Sequence, residues 1–146
     1  MDKQKIAVKV VEKMMAEDAF SQWLGIEVAD IKPGFAKLEM KVRPEMVNGF
    51  NVTHGGIAFS LADSALAFAA NSYGKVALAL ENNISFTKKV MPGDYLTAKT
   101  EELSRGRRIA VYNISVTNQD EETVALFRGT VFRTQEKHFN DNSNES

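Results

Sequence analysis

The chain contains no cysteine. Disulfides, a thiolate nucleophile and a cysteine-ligated metal are therefore excluded, and the composition fits a reducing compartment. Proline is scarce, at 3 residues beside 9 glycines, and 44% of the chain is hydrophobic, which separates it from disordered and fibrous sequences. An excess of one charge is missing too: 18 Lys and Arg against 19 Asp and Glu leave a formal net charge of -1. Neither nucleic acid nor an anionic membrane is expected as a main partner, and any basic patch must be local. No apolar run approaches the ~20 residues of a membrane span. The opening MDKQKIAVKVVEKMMAEDAF has charges every few residues, unlike a signal peptide. The expectation is a cytoplasmic protein with no membrane partner.

What is present suffices for one core. A chain of 146 residues buries roughly 70% of the surface it exposes when unfolded. From Lys5 to Met15, Ile6, Val10 and Met14 recur at helical spacing beside Ala7, Val11 and Met15, predicting an amphipathic helix. LGIEVADIKPG reads as a strand closed by a Lys32-Pro33-Gly34 turn, and FAKLEMKV alternates as a half-buried strand. Alternation returns over Val76 to Phe86, Tyr95 to Leu103, Arg108 to Asn118 and Thr123 to Arg133, separated by MPGD, SRG and NQDEE. Short connections predict antiparallel hairpins in a meander. The polar EKHFNDNSNES reads as a frayed tail. The expected division is a helical segment 1–22, a single folded domain 23–134 and a disordered tail 135–146.

Between the strands lies NVTHGGIAFSLADSALAFAANSYG. Of the 16 residues from Ile57 to Ser72, 11 are apolar, and they spread around the whole helical circumference. A helix apolar all round is expected to be buried all round. With one such helix and five or six strands, the economical α+β arrangement is a curved antiparallel sheet wrapped around one long central helix, the hotdog fold. Asp63 interrupts the apolar surface. A lone charge there costs several kcal/mol unless it is paired or opens onto a cleft, and desolvation raises its pKa toward the range useful for proton transfer. It is either a structural partner of backbone amides or of a strand residue, or a functional carboxylate.

His54-Gly55-Gly56 stands where this helix begins. Paired glycines let a ligand approach the main chain, and the first helical amides have no intrahelical acceptor, so they can donate to a developing oxyanion. Alternatively the glycines only make a tight turn while His54 caps or packs. Asp63 follows Gly55 by eight residues, about 12 Å along the axis, too far for both to touch one small reacting group. Two helices antiparallel about a twofold axis bring Gly55 of one subunit near Asp63 of another. A homodimer with composite sites is expected.

HGGIAFSLADSALAFAANS, together with Asn48 upstream, NISFTKKVMPGDYLTA and VALFRGTVFR, resembles the PaaI family of hotdog-fold acyl-CoA thioesterases, named for phenylacetate degradation. The resemblance covers roughly Leu24 to Arg133. It implies hydrolysis of an acyl-CoA, with aryl, phenylacetyl or hydroxyphenylacetyl groups as the hypothesis. By the resemblance Asp63 matches the catalytic carboxylate, as general base or nucleophile. Gly55 supplies the polarising amide, Asn48 helps place substrate or water, and His54 orients the loop. Gly56 is the neighbouring substrate contact. Ala79 stands where some relatives have a water-positioning serine. No metal and no cofactor are implied, coenzyme A being part of the substrate.

Its phosphates need local positive charge. Arg107 and Arg108, with Arg105, sit at a predicted hairpin, and Lys88-Lys89 precede another turn; Arg107, Arg108 and Lys89 are the candidates. Each equally fits a solvated hairpin that keeps edges soluble. Phe59, Phe68, Tyr73, Phe86 and Met91 are candidate acyl-pocket residues or ordinary core. A serine hydrolase is disfavoured without G-x-S-x-G. The rivals are a hotdog hydratase or dehydratase using His54 with Asp63, and a non-catalytic acyl-CoA sensor. A tetramer of two dimers is the expected higher assembly.

Overall fold

A computed structural model describes residues 2–140. The opening helix α1 runs Lys3–Glu17, longer than its apolar period suggests. Asp2 extends it by accepting a hydrogen bond from the Lys5 amide at 2.8 Å. Ala7, Val10 and Val11 form its buried stripe. A second helix, α2, spans Ala19–Leu24 and was not expected. It is too short for periodicity, but its ends are written in the sequence. Asp18 caps the Ser21 amide at 2.9 Å, and Gly25 closes it at φ 78.

Six strands follow: β1 Glu27–Lys32, β2 Phe35–Lys41, β3 Lys75–Phe86, β4 Tyr95–Arg105, β5 Ile109–Thr117 and β6 Thr123–Lys137. The expected Lys32-Pro33-Gly34 turn joins β1 to β2, with Gly34 at φ 78. The long helix α3 spans Gly55–Asn71 and packs on β2 through β6, so the sheet wraps around it. Leu61, Leu66 and Phe68 are fully or almost fully buried there, each contributing about 1.5–3 kcal/mol.

Two expectations are corrected. The sheet order is β1-β2-β4-β5-β6-β3, all antiparallel, so β3 and β4 do not form a hairpin. β3 returns from the end of α3 to the far edge beside β6, and the eight-residue segment from Thr87 to Asp94 then carries the chain back across. The helix is also not buried all round within one chain. Ala58, Leu61, Ala62, Ala65 and Ala69 are buried, whereas Phe59, Ser60, Asp63, Ser64 and Ala67 are half-buried.

At the C-terminal side, β6 continues to Lys137, past the boundary at 134. The His138 amide donates to the Gly74 carbonyl at 2.9 Å, and its Nε2 lies 2.8 Å from Asn71 Oδ1. Residues 141–146 of the expected tail lie outside the described residues.

Candidate active site

At its N-terminal end α3 opens into a cleft of about 400 Å3, lined by His54, Gly55, Ala58, Phe86, Lys88 and Lys89 among others. His54 is the N-cap. Its Nδ1 accepts the Gly56 amide at 2.9 Å, so that amide is occupied by the protein itself. The histidine therefore caps, and the Gly55 amide, the first of the helix, is the one free of an intrahelical acceptor. A Cβ on Gly55 would lie 2.9 Å from Phe86 Cζ. A side chain there would push the exposed Phe86 ring away from the start of the helix.

Asn48 builds the loop leading into the helix. Its Oδ1 accepts from the amides of Phe50 at 2.8 Å and Val52 at 3.3 Å, and Asn51 takes the left-handed φ of 59 that the turn requires. Lys88 pairs with Glu122, while Lys89 is exposed on the cleft wall.

Asp63 lies two turns further along α3, where the helix is half-buried. Its Oδ1 accepts from Asn82 Nδ2 on β3 at 3.0 Å. Burial pushes its pKa above the ordinary aspartate value, the Asn82 hydrogen bond pulls the other way, and the Asp18 charge adds to the rise. Desolvation wins, so the carboxylate is more basic than a surface one. A hydroxyl chain ties the same face to α2: Ser21 Oγ donates to Asp18 Oδ2 at 2.6 Å and lies 2.8 Å from Ser64 Oγ.

Asn82 was missed by sequence reasoning. The signal was ENN interrupting an apolar strand, with Asn82 on the face toward the helix. Its own Oδ1 is buried without a partner. Asn82 and Leu66 occupy the space over Gly129, where a Cβ would meet Leu66 Cδ2 at 2.4 Å and Asn82 Oδ1 at 3.0 Å. Ala79, by contrast, is exposed on β3 and pairs with Val131 in the sheet.

The candidates do not all converge. His54, Gly55, Gly56 and Lys89 gather at the α3 N-terminus, while Asp63 is held by Asn82 further along. Arg107 and Arg108 are exposed in the β4–β5 turn. That turn lies at the opposite end of the sheet, beside the start of β3. Of the aromatic candidates, Phe68 is core, Phe59 packs edge-on against Phe127 at 5.2 Å, and Tyr73 binds Glu102. Phe86 is exposed in the cleft and Met91 is exposed. A larger cavity, about 720 Å3 between α1 and β1, contains neither Asp63 nor the α3 amides. Among the described residues no three His, Asp or Glu side chains gather as a metal site, and no helix is long and apolar enough to cross a membrane.

Comparison with known proteins identifies the family and the fold. The family model described as thioesterase superfamily matches residues 50–125. The acyl-coenzyme A thioesterase PaaI of Escherichia coli is 42% identical over 120 residues, covering 82% of this chain and 86% of that protein. The structure of the PaaI protein from the E. coli phenylacetic acid degradation operon superposes with a TM-score of 0.90 at 38% identity, covering 93% of this chain and 99% of that one. A Streptococcus mutans protein solved bound to acetyl-CoA gives a TM-score of 0.74 at 27% identity, covering 77% of this chain and 90% of that one. A sheet wrapped on an apolar helix, a glycine amide at its start and a basic carboxylate within it thus occur in a chain that belongs to the thioesterase superfamily, a thioester hydrolase of the hotdog fold.

Proposed function

We propose that the protein hydrolyses acyl-CoA thioesters, releasing the free acid and coenzyme A, with Asp63 as the catalytic carboxylate and the Gly55 amide of a second subunit as the oxyanion donor. The observation that carries the reading is Asp63 itself: a half-buried carboxylate of raised pKa, the one charged residue of its helix, held by the Asn82 side-chain amide. A purely structural aspartate in such a place pairs with a cation or several donors. As general base it takes a proton from water while the water oxygen attacks the carbonyl carbon. As nucleophile it attacks that carbon itself, and water then cleaves the anhydride. In either case charge develops on the carbonyl oxygen and the thiolate leaves. The base is worth roughly 10² to 10⁴, and one oxyanion donor about 10² to 10³.

Dimerisation follows from the ~12 Å between Gly55 and Asp63 along one helix. The half-covered face of α3 and the free apolar edge of β3, where Leu78 and Leu80 are 57% and 59% exposed, support a twofold partner. Assembly of two dimers into a tetramer remains part of the proposal. Asn82 orients the carboxylate from the strand on which Ala79 carries no hydroxyl. Phe86 beside Gly55 favours an aryl or arylacetyl group, and Lys89 suits a coenzyme A phosphate at the cleft rim. The reaction as drawn needs no cofactor or metal.

Release of free coenzyme A from arylacetyl, benzoyl and straight-chain acyl-CoAs tests the reaction and selects the acyl class. Mixing Asp63→Asn with Gly55→Val tests the composite site. In a heterodimer one of the two sites regains both groups, so a random mixture recovers up to about a quarter of native activity. No recovery in dimers proved to exchange subunits would place the whole site in one chain. Binding of acyl-CoA without hydrolysis of any panel member would favour the sensor instead.

A further inference from the structure

At the far end of α3, ~25 Å along the axis from Gly55, lies a cavity that contains none of the proposed catalytic groups. It measures about 230 Å3 and is lined by Lys3, Lys75, Arg105 and Arg133, with Ser72 and Tyr73 between them. One carboxylate, Glu102, accompanies these cations, and it is saturated. The Tyr73 hydroxyl donates to its two oxygens at 2.9 and 3.0 Å, the Tyr112 hydroxyl donates at 3.1 Å, and Arg105 Nε lies 3.2 Å away.

The other three cations meet only neutral groups among the described residues. Lys75 Nζ is 3.2 Å from the Gln135 amide oxygen, Arg133 Nη1 donates to the Gly106 carbonyl at 2.7 Å, and Lys3 is exposed. Four cations against one carboxylate leave three positive charges around a concave site. The C-terminal end of α3 offsets about half a charge, and the N-terminal turn of α1, which forms one wall, adds about as much back. An ion-pair network that served only stability would bring carboxylates in matching number. The arginines are also held in place: their guanidinium carbons sit 4.1 Å (Arg105) and 5.5 Å (Arg133) from the Tyr73 ring centroid. Such stacking fixes the fork that recognises phosphate oxygens.

We infer that this cavity is an anion site for a phosphate or diphosphate group. Arg133, Lys75 and Lys3 contribute the uncompensated charge, and Arg105 is shared with Glu102. The group belongs either to the nucleotide end of a thioester held by the partner subunit or to a free nucleotide. Binding is measured directly, so its failure leaves the proposed hydrolysis untouched, and an inactive enzyme leaves the site testable.

The test is calorimetric titration of the native protein with ADP and with inorganic pyrophosphate, with adenosine as the uncharged control, repeated on Arg133→Gln/Lys75→Gln. Saturable binding of both anions, none of adenosine and a loss of about tenfold or more in the variant are expected, since the variant removes two charge-assisted donors and tenfold is only about 1.4 kcal/mol. Lys3→Gln, at the exposed start of α1, gives a smaller loss and is readable even if the double variant unfolds. Two further outcomes identify the source while upholding the site. Competition of ADP with acyl-CoA and a raised KM in Lys3→Gln assign the phosphate to the substrate; an unchanged KM assigns it to a separate nucleotide. Absence of saturable anion binding, or equal binding by native protein and all variants, overturns the inference.

Discussion

The two edges of the sheet are built differently. β1 is six residues long, carries Glu27, Asp30 and Lys32, and shifts register between Val28 and Asp30. Gln4 of α1 also donates to its Ile31 carbonyl at 2.8 Å. Short length, charge, a bulge and a covering helix all discourage another strand from adding. β3 at the opposite edge is 12 residues long, has Lys75 and Glu81 as its charges, and exposes Leu78, Leu80 and Phe86. It too has register shifts, and the Asn71 side chain meets its backbone at Ala77. Yet among the described residues no helix or strand pairs along its outer edge from Leu78 to Phe86. One edge is closed to partners and the other is left open beside the half-covered face of α3. That difference is why the proposed dimer axis lies at β3.

The largest expected effect is on chemistry. Asp63→Asn lowers coenzyme A release at least a hundredfold while size-exclusion chromatography still reports a dimer. Because burial raises the folded-state pKa of Asp63 above its unfolded value, its contribution to stability is present below the unfolded pKa and is lost as pH rises through the folded one. Near neutral pH the ionised group is therefore a cost, and the same variant has a higher Tm than the native protein there. A lower Tm would mean that the carboxylate holds the helix in place.

The edges are separated by a pair of lysines. Leu80→Lys on β3 converts dimer to monomer by light scattering and abolishes most activity, whereas Val28→Lys on β1 changes neither. Equal behaviour of the two variants would end the asymmetry argued above.

Beneath β3, Gly129→Ala forces a methyl into the space of Leu66 and Asn82 and costs about 1–3 kcal/mol by denaturant unfolding. The smallest effect belongs to Asn82→Ala. It removes the hydrogen bond that lowers the Asp63 pKa, so the acid limb of kcat/KM moves to higher pH, with a loss of about tenfold at most near neutrality. An unshifted limb with reduced kcat would show that Asn82 touches substrate instead of tuning the carboxylate.

Much of the architecture was readable because periodicity is local. The apolar helix, the alternating strands and the Pro33-Gly34 turn each announce themselves within a short window of sequence. α2 escaped because six residues are too few to show a period, and only its Asp18 and Gly25 ends marked it. The strand order escaped because short connections favour neighbours, and nothing local says that β3 crosses to the far edge. At the site, Asp63 and Gly55 stood out as a charge in an apolar helix and a glycine pair at its start. Asn82 did not, since one polar residue in a strand acquires meaning only from what faces it.

The sequence by itself determined that a single long apolar helix must be enclosed by alternating strands, and that its one carboxylate needed a reason to be there. Tertiary structure alone decided which strand reaches that carboxylate, which sheet edge stays open and where the cations gather. The physical reason is range. Burial periodicity and capping act within a few residues, whereas pairing order, desolvation and charge clustering arise between segments far apart in the chain, as with Asp63 and Asn82 or Lys3 and Arg133.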